Sequence, residues 1–143
     1  MERIRGFEGL RIRVMLRTFK DLIVWQKSYA LCGRIYTLTK QFPSDERFGL
    51  TSQLRRASVS IPSNISEGYN RDTTREYVRF LFIALGSLGE VETQIMLGRD
   101  LCLCEAKQCD ELLELVAEIN RMLRALIRSL KNKQQTREAA AAK

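Results

Sequence analysis

Histidine is missing altogether from this 143-residue chain. Its absence removes the side chain that most often serves as general base and as metal ligand. Proline occurs twice and glycine eight times. That is too few turn-formers for an all-β protein of many short strands, so long helices are expected. No secretory apolar segment precedes the four cysteines (Cys32, Cys102, Cys104 and Cys109), and no apolar run of bilayer-spanning length stands out. Free thiols in a reducing cytoplasm, with no membrane partner, are the expectation. Cys102-x-Cys104-x4-Cys109 lacks the paired spacing of a zinc site and Cys32 has no close companion, so no metal is expected.

Without histidine, a serine or cysteine nucleophile would have to borrow lysine or a carboxylate as its base. Ser60, Ser63 and Ser66 lie near Glu67, but without the pattern of a strained nucleophile turn. Glu67, Glu90 and Glu92 read more simply as salt-bridge partners for Arg55, Arg56 or Arg75. The chain also has no glycine-rich phosphate loop. It therefore reads as a binding protein, not an enzyme, with no catalytic residues and no cofactor.

What is present is a hydrophobic content of 45%, enough for one domain with a real core. The net charge is +7. Residues 1–20 hold six basic and two acidic side chains, leaving 18 basic and 15 acidic in the rest. The body is thus only mildly basic, and its charge alone does not demand a polyanion.

Four amphipathic segments follow one another. In residues 1–18, Leu10, Ile12, Val14 and Leu16 alternate with Arg11, Arg13, Met15 and Arg17, a period of two that predicts a short strand or extended basic arm. Asp21 is placed to cap a first helix to about Lys40, with Leu22, Trp25, Tyr29, Cys32 and Tyr36 on one face and Val24, Leu31, Ile35 and Leu38 widening it. Pro43 ends it. Ser44 offers a cap for a second helix carrying Leu50, Leu54, Ala57, Ile61 and Ile65. Pro62 should kink that helix, with Ser58, Ser60, Ser63 and Asn64 available to bond the freed backbone. A third helix, from Asp72–Thr74 to about Gly98, carries Tyr77, Leu81, Ala84, Leu88, Val91, Ile95 and Gly98 in the 4-3-4-3 rhythm of a left-handed bundle. Gly86 and Gly89 within it suggest close approach of a neighbouring helix. A fourth, from about Glu105 to Lys131, repeats Leu112, Val116, Ile119, Leu123, Leu126 and Leu130. Its outer face runs from Glu111, Glu114 and Glu118 to Arg121, Arg124, Arg128 and Lys131, an order that complements the helix dipole. The expected organisation is a basic extension over 1–18, an all-α, antiparallel up-down-up-down four-helix bundle over 19–132, and a flexible tail over 133–143.

The basic side chains offer the candidate site. Arg71, Arg75 and Arg79 line one face of the third helix's start, with Arg55 and Arg56 on the second and Lys27 and Arg34 on the first. Guanidinium forks suit phosphate, and Tyr69 and Tyr77 flank Arg71–Arg79 where they could stack on bases. The alternative is that the arginines bridge to Glu67, Asp72, Glu76 and Glu90.

Three segments carry a more specific likeness: FKDLIVWQKSYAL (Phe19 to Leu31), QLRRASVSIPSNISEGYNR (Gln53 to Arg71) and EYVRFLFIALGSLGEVETQI (Glu76 to Ile95). Together they resemble the four-helix bundle family of 23S rRNA intervening-sequence proteins, which also takes in the accessory variability determinant of diversity-generating retroelements. The resemblance spans roughly residues 19–130, with SIPSNISEG its most specific part. It implies a ring-like homopentamer of basic character without catalytic residues. The partners it implies are RNA or DNA, structured RNA above all, or else a reverse transcriptase docked on a protein-interaction scaffold. Five copies at +7 would gather about +35 around one axis. The extension before Phe19 is a departure from the family pattern.

Overall fold

The computed structural model describes residues 16–143; all but the last three residues of the expected N-terminal arm lie outside that range. Among the described residues there are four α-helices: α1 (Ile23–Thr39), α2 (Leu50–Tyr69), α3 (Thr74–Asp100) and α4 (Ala106–Ala141). Each packs on its sequence neighbours and α4 closes back onto α1, giving the antiparallel up-down-up-down bundle.

The helix boundaries correct several expected caps. Asp21 does not cap α1. It closes a capping box with Thr18 around a 3-10 turn, Phe19–Asp21, and its carboxylate accepts the Arg17 and Thr18 amides at 2.9 and 3.2 Å. Ser44 begins a 3-10 turn rather than capping α2. Instead Glu46 reaches forward, its Oε2 accepting the Leu50 amide at 2.9 Å. Thr73 caps α3 by accepting the Glu76 amide at 3.1 Å. Gly98 does not end α3. It lies buried inside the helix, where an added Cβ would stand 3.0 Å from Phe42 Cζ. The helix stops two residues on, at a Schellman turn in which the Leu103 amide donates to the Gly98 carbonyl at 2.9 Å. Its left-handed position is filled by Cys102, with φ of 58°, in place of the usual glycine, at a cost of roughly 1–2 kcal/mol. At the far end, α4 continues to Ala141, ten residues past the expected end at Lys131.

The core follows the heptad seams. Leu54, Ala57, Ile61 and Ile65 of α2, Leu81, Ala84, Leu88, Val91 and Ile95 of α3, and Leu112, Val116, Ile119 and Leu123 of α4 are all buried. On α1 the buried seam is Val24, Ser28, Leu31, Ile35 and Leu38. The aromatic stripe expected to lead that helix lies to one side of it. Trp25 is only partly buried, and Tyr29 stacks on it while remaining 64% exposed. Ser28 hides the true seam in the sequence. Its hydroxyl becomes tolerable in the core by donating to the Val24 carbonyl at 2.7 Å.

Two expectations about α3 are overturned. Gly86 and Gly89 admit no close helix, since nothing lies within 4 Å of a Cβ built on either. The close approach is at Gly68 of α2, where a Cβ would meet Phe80 Cβ at 2.8 Å. By length and composition α3 is also apolar enough to cross a bilayer, although only 33% of its most apolar stretch is buried in the bundle. Sequence inspection missed this because Glu90 and Glu92 interrupt the run.

Pro62 is buried inside α2, which runs unbroken from Leu50 to Tyr69. The missing proline N–H leaves the Ser58 carbonyl without its helical donor. None of the neighbouring serines fills the gap. The Cys32 thiol of α1 donates to the Ser58 oxygen at 2.9 Å. Burial pushes the Cys32 thiol above its ordinary range, so it stays protonated and able to donate. Replacing Cys32 by alanine is expected to cost about 1–3 kcal/mol by orphaning that carbonyl. In a Pro62→Ala background the new amide bonds the same oxygen, so the cost of Cys32→Ala should shrink. A double-mutant cycle in urea reads the coupling, and equal costs in both backgrounds would refute it.

Candidate nucleic-acid interface

The cap at Thr73 sets the register of α3 so that Arg75, Arg79 and Phe82 fall on one face, one and two turns apart. On α4, Arg121, Arg124, Arg128 and Lys131 recur at intervals of three and four, away from the buried seam. The antiparallel pairing of these helices brings the two rows together, with the Lys131 ammonium 4.9 Å from the centre of the Phe82 ring. Two open depressions meet at Phe82. One, of about 530 Å³, is lined by Arg75, Glu76, Val78, Arg79, Phe82 and Ile83. The other, of about 370 Å³, includes Arg124, Arg128, Lys131 and Asn132. The result is a shallow surface furrow whose cations are staggered, those of α3 lining the stretch on one side of Phe82 and those of α4 the stretch on the other.

Among the described residues, none of Arg75, Arg79, Arg124, Arg128 and Lys131 has a carboxylate within ion-pair distance. All five are exposed. The charge is also concentrated along the chain: from Arg121 to the end of α4 and beyond, seven basic side chains face the single acid Glu138. The same end of the bundle holds the start of α3, whose N-terminal dipole adds to the positive potential. The opposite end is acidic, with Asp110, Glu111, Glu114 and Glu118 on the first turns of α4.

The other sequence-nominated cations are differently engaged. Lys27 pairs with Glu118 at 2.9 Å and Arg34 with Glu111 at 3.7 Å, joining α1 to α4. Arg34 borders a third depression, between α1 and α4, but its partner Glu111 lines the same hollow and cancels the charge. Arg55 donates to Thr39 Oγ1 at 2.8 Å and lies 4.6 Å from the Tyr36 ring centre, bracing α2 against α1. Arg71 pairs with Glu67 on the preceding turn and covers Phe80. Arg56 is exposed on α2, away from the furrow walls. Of the anticipated bridges to Glu67, Asp72, Glu76 and Glu90, only Arg71–Glu67 is formed among the described residues. Tyr69 and Tyr77 meet each other edge-on at 6.0 Å, and burial, more than the neighbouring Tyr69, pushes the Tyr77 hydroxyl up to about 12. Tyr77 is therefore a packing residue with little ring left for a ligand.

The cysteines do not converge on a metal-binding group among the described residues. Cys104 and Cys109 face each other at 2.7 Å, and burial, reinforced by that contact, pushes the Cys104 thiol up to about 12. Cys32 is committed to Ser58, and Cys102 is exposed.

Residues 20–125 match the 23S rRNA-intervening sequence protein family. The chain belongs to that family. A crystal structure from Bacteroides thetaiotaomicron, of a protein of unknown function from the S23 ribosomal protein family, has the same fold with a TM-score of 0.69. It is 26% identical to this chain and the alignment covers 73% of this chain and 98% of that one. No curated protein sequence matches significantly. Neither the family description nor that of the solved relative names an enzymatic activity. The family match takes in Arg75, Arg79, Arg121 and Arg124 but stops before Arg128 and Lys131.

Sequence reasoning nominated one wall of the furrow and not the other. Arg121, Arg124, Arg128 and Lys131 were visible as a one-sided row, but a row ordered to suit the helix dipole carries no sign of what faces it. The partner wall is a fact of helix pairing.

Proposed function

We propose that this protein is a non-enzymatic, self-assembling bundle of the cytoplasm that binds structured RNA through its phosphates, held in the α3–α4 furrow. The observation that carries this reading is the double row of exposed cations without carboxylate partners. Lys27, Arg34 and Arg71 find acids, whereas the furrow guanidinium groups have no carboxylate to compete with a phosphate, Arg124 touching only Asn120 and Arg79 the Phe80 ring. Membership of a family described by an rRNA intervening sequence supports RNA as the polyanion.

Self-assembly, with a homopentamer as the expected form, is supported by the outer face of α3. Leu97 and, just past its end, Leu101 are exposed there, beyond the furrow, an apolar surface that a second copy would cover. Assembly multiplies a modest charge per chain into a strong field.

The test is the affinity for an rRNA hairpin measured across a salt series. Neutralising about five phosphates per furrow predicts a steep fall, with log K against log salt sloping near −4. A flat dependence, or no binding near physiological salt, would sink the proposal.

A further inference from the structure

We infer that Phe82 is a stacking platform for an unpaired nucleobase, so that the furrow takes single-stranded or looped RNA in preference to continuous duplex. The inference rests on the RNA-binding reading and adds the class of RNA to it. Phe82 sits where the two depressions meet, 44% exposed, with cations on either side. Arg79 and Arg75 lie one and two turns away along α3, and Arg128 and Arg124 stand at the same intervals from Lys131 along α4. At 1.5 Å rise per residue these cations fall roughly 5 and 10 Å on either side of the ring, the scale of successive nucleotides in one strand.

A duplex buries the faces of its bases, so an aromatic ring on a convex bundle meets only sugar and phosphate. An unpaired base offers a π-face of comparable size to Phe82, with its flanking phosphates directed to the two cation rows. Lys131 already rests on the ring at 4.9 Å. Its flexible stem lets the ammonium leave the ring for a phosphate when a base arrives. The other exposed aromatic side chains lack this setting. Phe48 is 88% exposed and has Arg47 over its ring but stands next to Glu46 and Asp45, Tyr36 has Arg55 over its ring but that arginine is tied to Thr39, and Tyr29 lies on α1, where Lys27 is already paired with Glu118.

The experiment is fluorescence anisotropy with a labelled oligouridine and a blunt RNA duplex of equal length. The proteins are the wild type, Phe82→Leu and Phe82→Trp, each checked by circular dichroism for an intact bundle. Phe82→Leu should weaken oligouridine binding about tenfold and leave duplex binding unchanged. Phe82→Trp should restore the lost affinity. A Phe82→Leu protein that binds oligouridine like the wild type, or that loses both RNAs equally, overturns the stacking role while leaving phosphate binding intact. Polyglutamate competing as well as oligouridine overturns it in favour of an acidic protein partner. Failure of the wild type to bind either RNA overturns both the stacking role and the RNA-binding reading beneath it.

Discussion

Reversing four furrow charges together, with Arg75→Glu, Arg79→Glu, Arg124→Glu and Arg128→Glu, is expected to weaken RNA binding by about two to three orders of magnitude. Each arginine is exposed and has no carboxylate partner among the described residues, so its removal breaks no internal contact of that kind. Losing roughly 1 kcal/mol per phosphate contact at four positions gives a factor of that size. The salt slope should flatten by about three to four, one for each contact removed. The informative control is Lys27→Gln with Arg34→Gln. Both residues are basic and exposed or nearly so, and both are already neutralised by Glu118 and Glu111. That pair should change RNA affinity by less than about threefold, with a small loss of stability from two surface ion pairs. Equal effects from the two sets would mean that net charge alone drives binding, and the furrow would lose its special place.

The second large effect is expected in the core. Leu81→Ala should destabilise the bundle by about 2–5 kcal/mol, whereas Leu97→Ala on the same helix should stay within about 0.5 kcal/mol. Leu81 is 0% exposed on the inner seam of α3, and Leu97 is 46% exposed on its outer face. Truncating Leu81 leaves a cavity that rigid neighbours on α2 and α4 cannot collapse into. Leu97 has solvent to replace what it loses. Urea unfolding of dilute protein measures both, and comparable losses would contradict the seam. Leu97→Ala also reports on assembly. If the outer face of α3 joins copies, light scattering should show smaller particles for this variant at concentrations where the wild type is assembled. A wild type that is monomeric at every concentration would refute self-assembly.

Much of the fold was legible because a heptad is a statement about one helix alone. Residues 81, 84, 88, 91 and 95 share a face whatever surrounds them, and burying that face is the only stable outcome for so apolar a stripe. The reading failed where a polar residue occupies the seam. Ser28 breaks the apolar rhythm of α1, so the adjacent aromatics looked like the core. Its hydroxyl is satisfied by its own helix, which is invisible to a hydrophobicity pattern. Capping was misread for a related reason. Asp21 and Ser44 are good cap residues, but each is taken up by a 3-10 turn before the α-helix begins.

The candidate site was half legible. The spacing of Arg71, Arg75 and Arg79 is a local property, but their fates differ: Arg71 turns back to Glu67, while Arg75 and Arg79 pair with no acid among the described residues and Arg79 rests 5.3 Å from the centre of the Phe80 ring. Which cations are spent internally depends on which acids other helices bring near, and no one-dimensional spacing carries that.

By itself the sequence determined four amphipathic helices, their order, most of their buried faces and the absence of histidine chemistry, because these depend on residue type and on periods of three and four. Only the tertiary structure decided that Cys32 repairs the backbone broken by Pro62, that Lys27 and Arg34 are consumed by α4, and that Arg75 and Arg79 face Arg124, Arg128 and Lys131 across Phe82. Each of these joins side chains far apart in the chain, and such contacts are set by how the helices pair and rotate against one another.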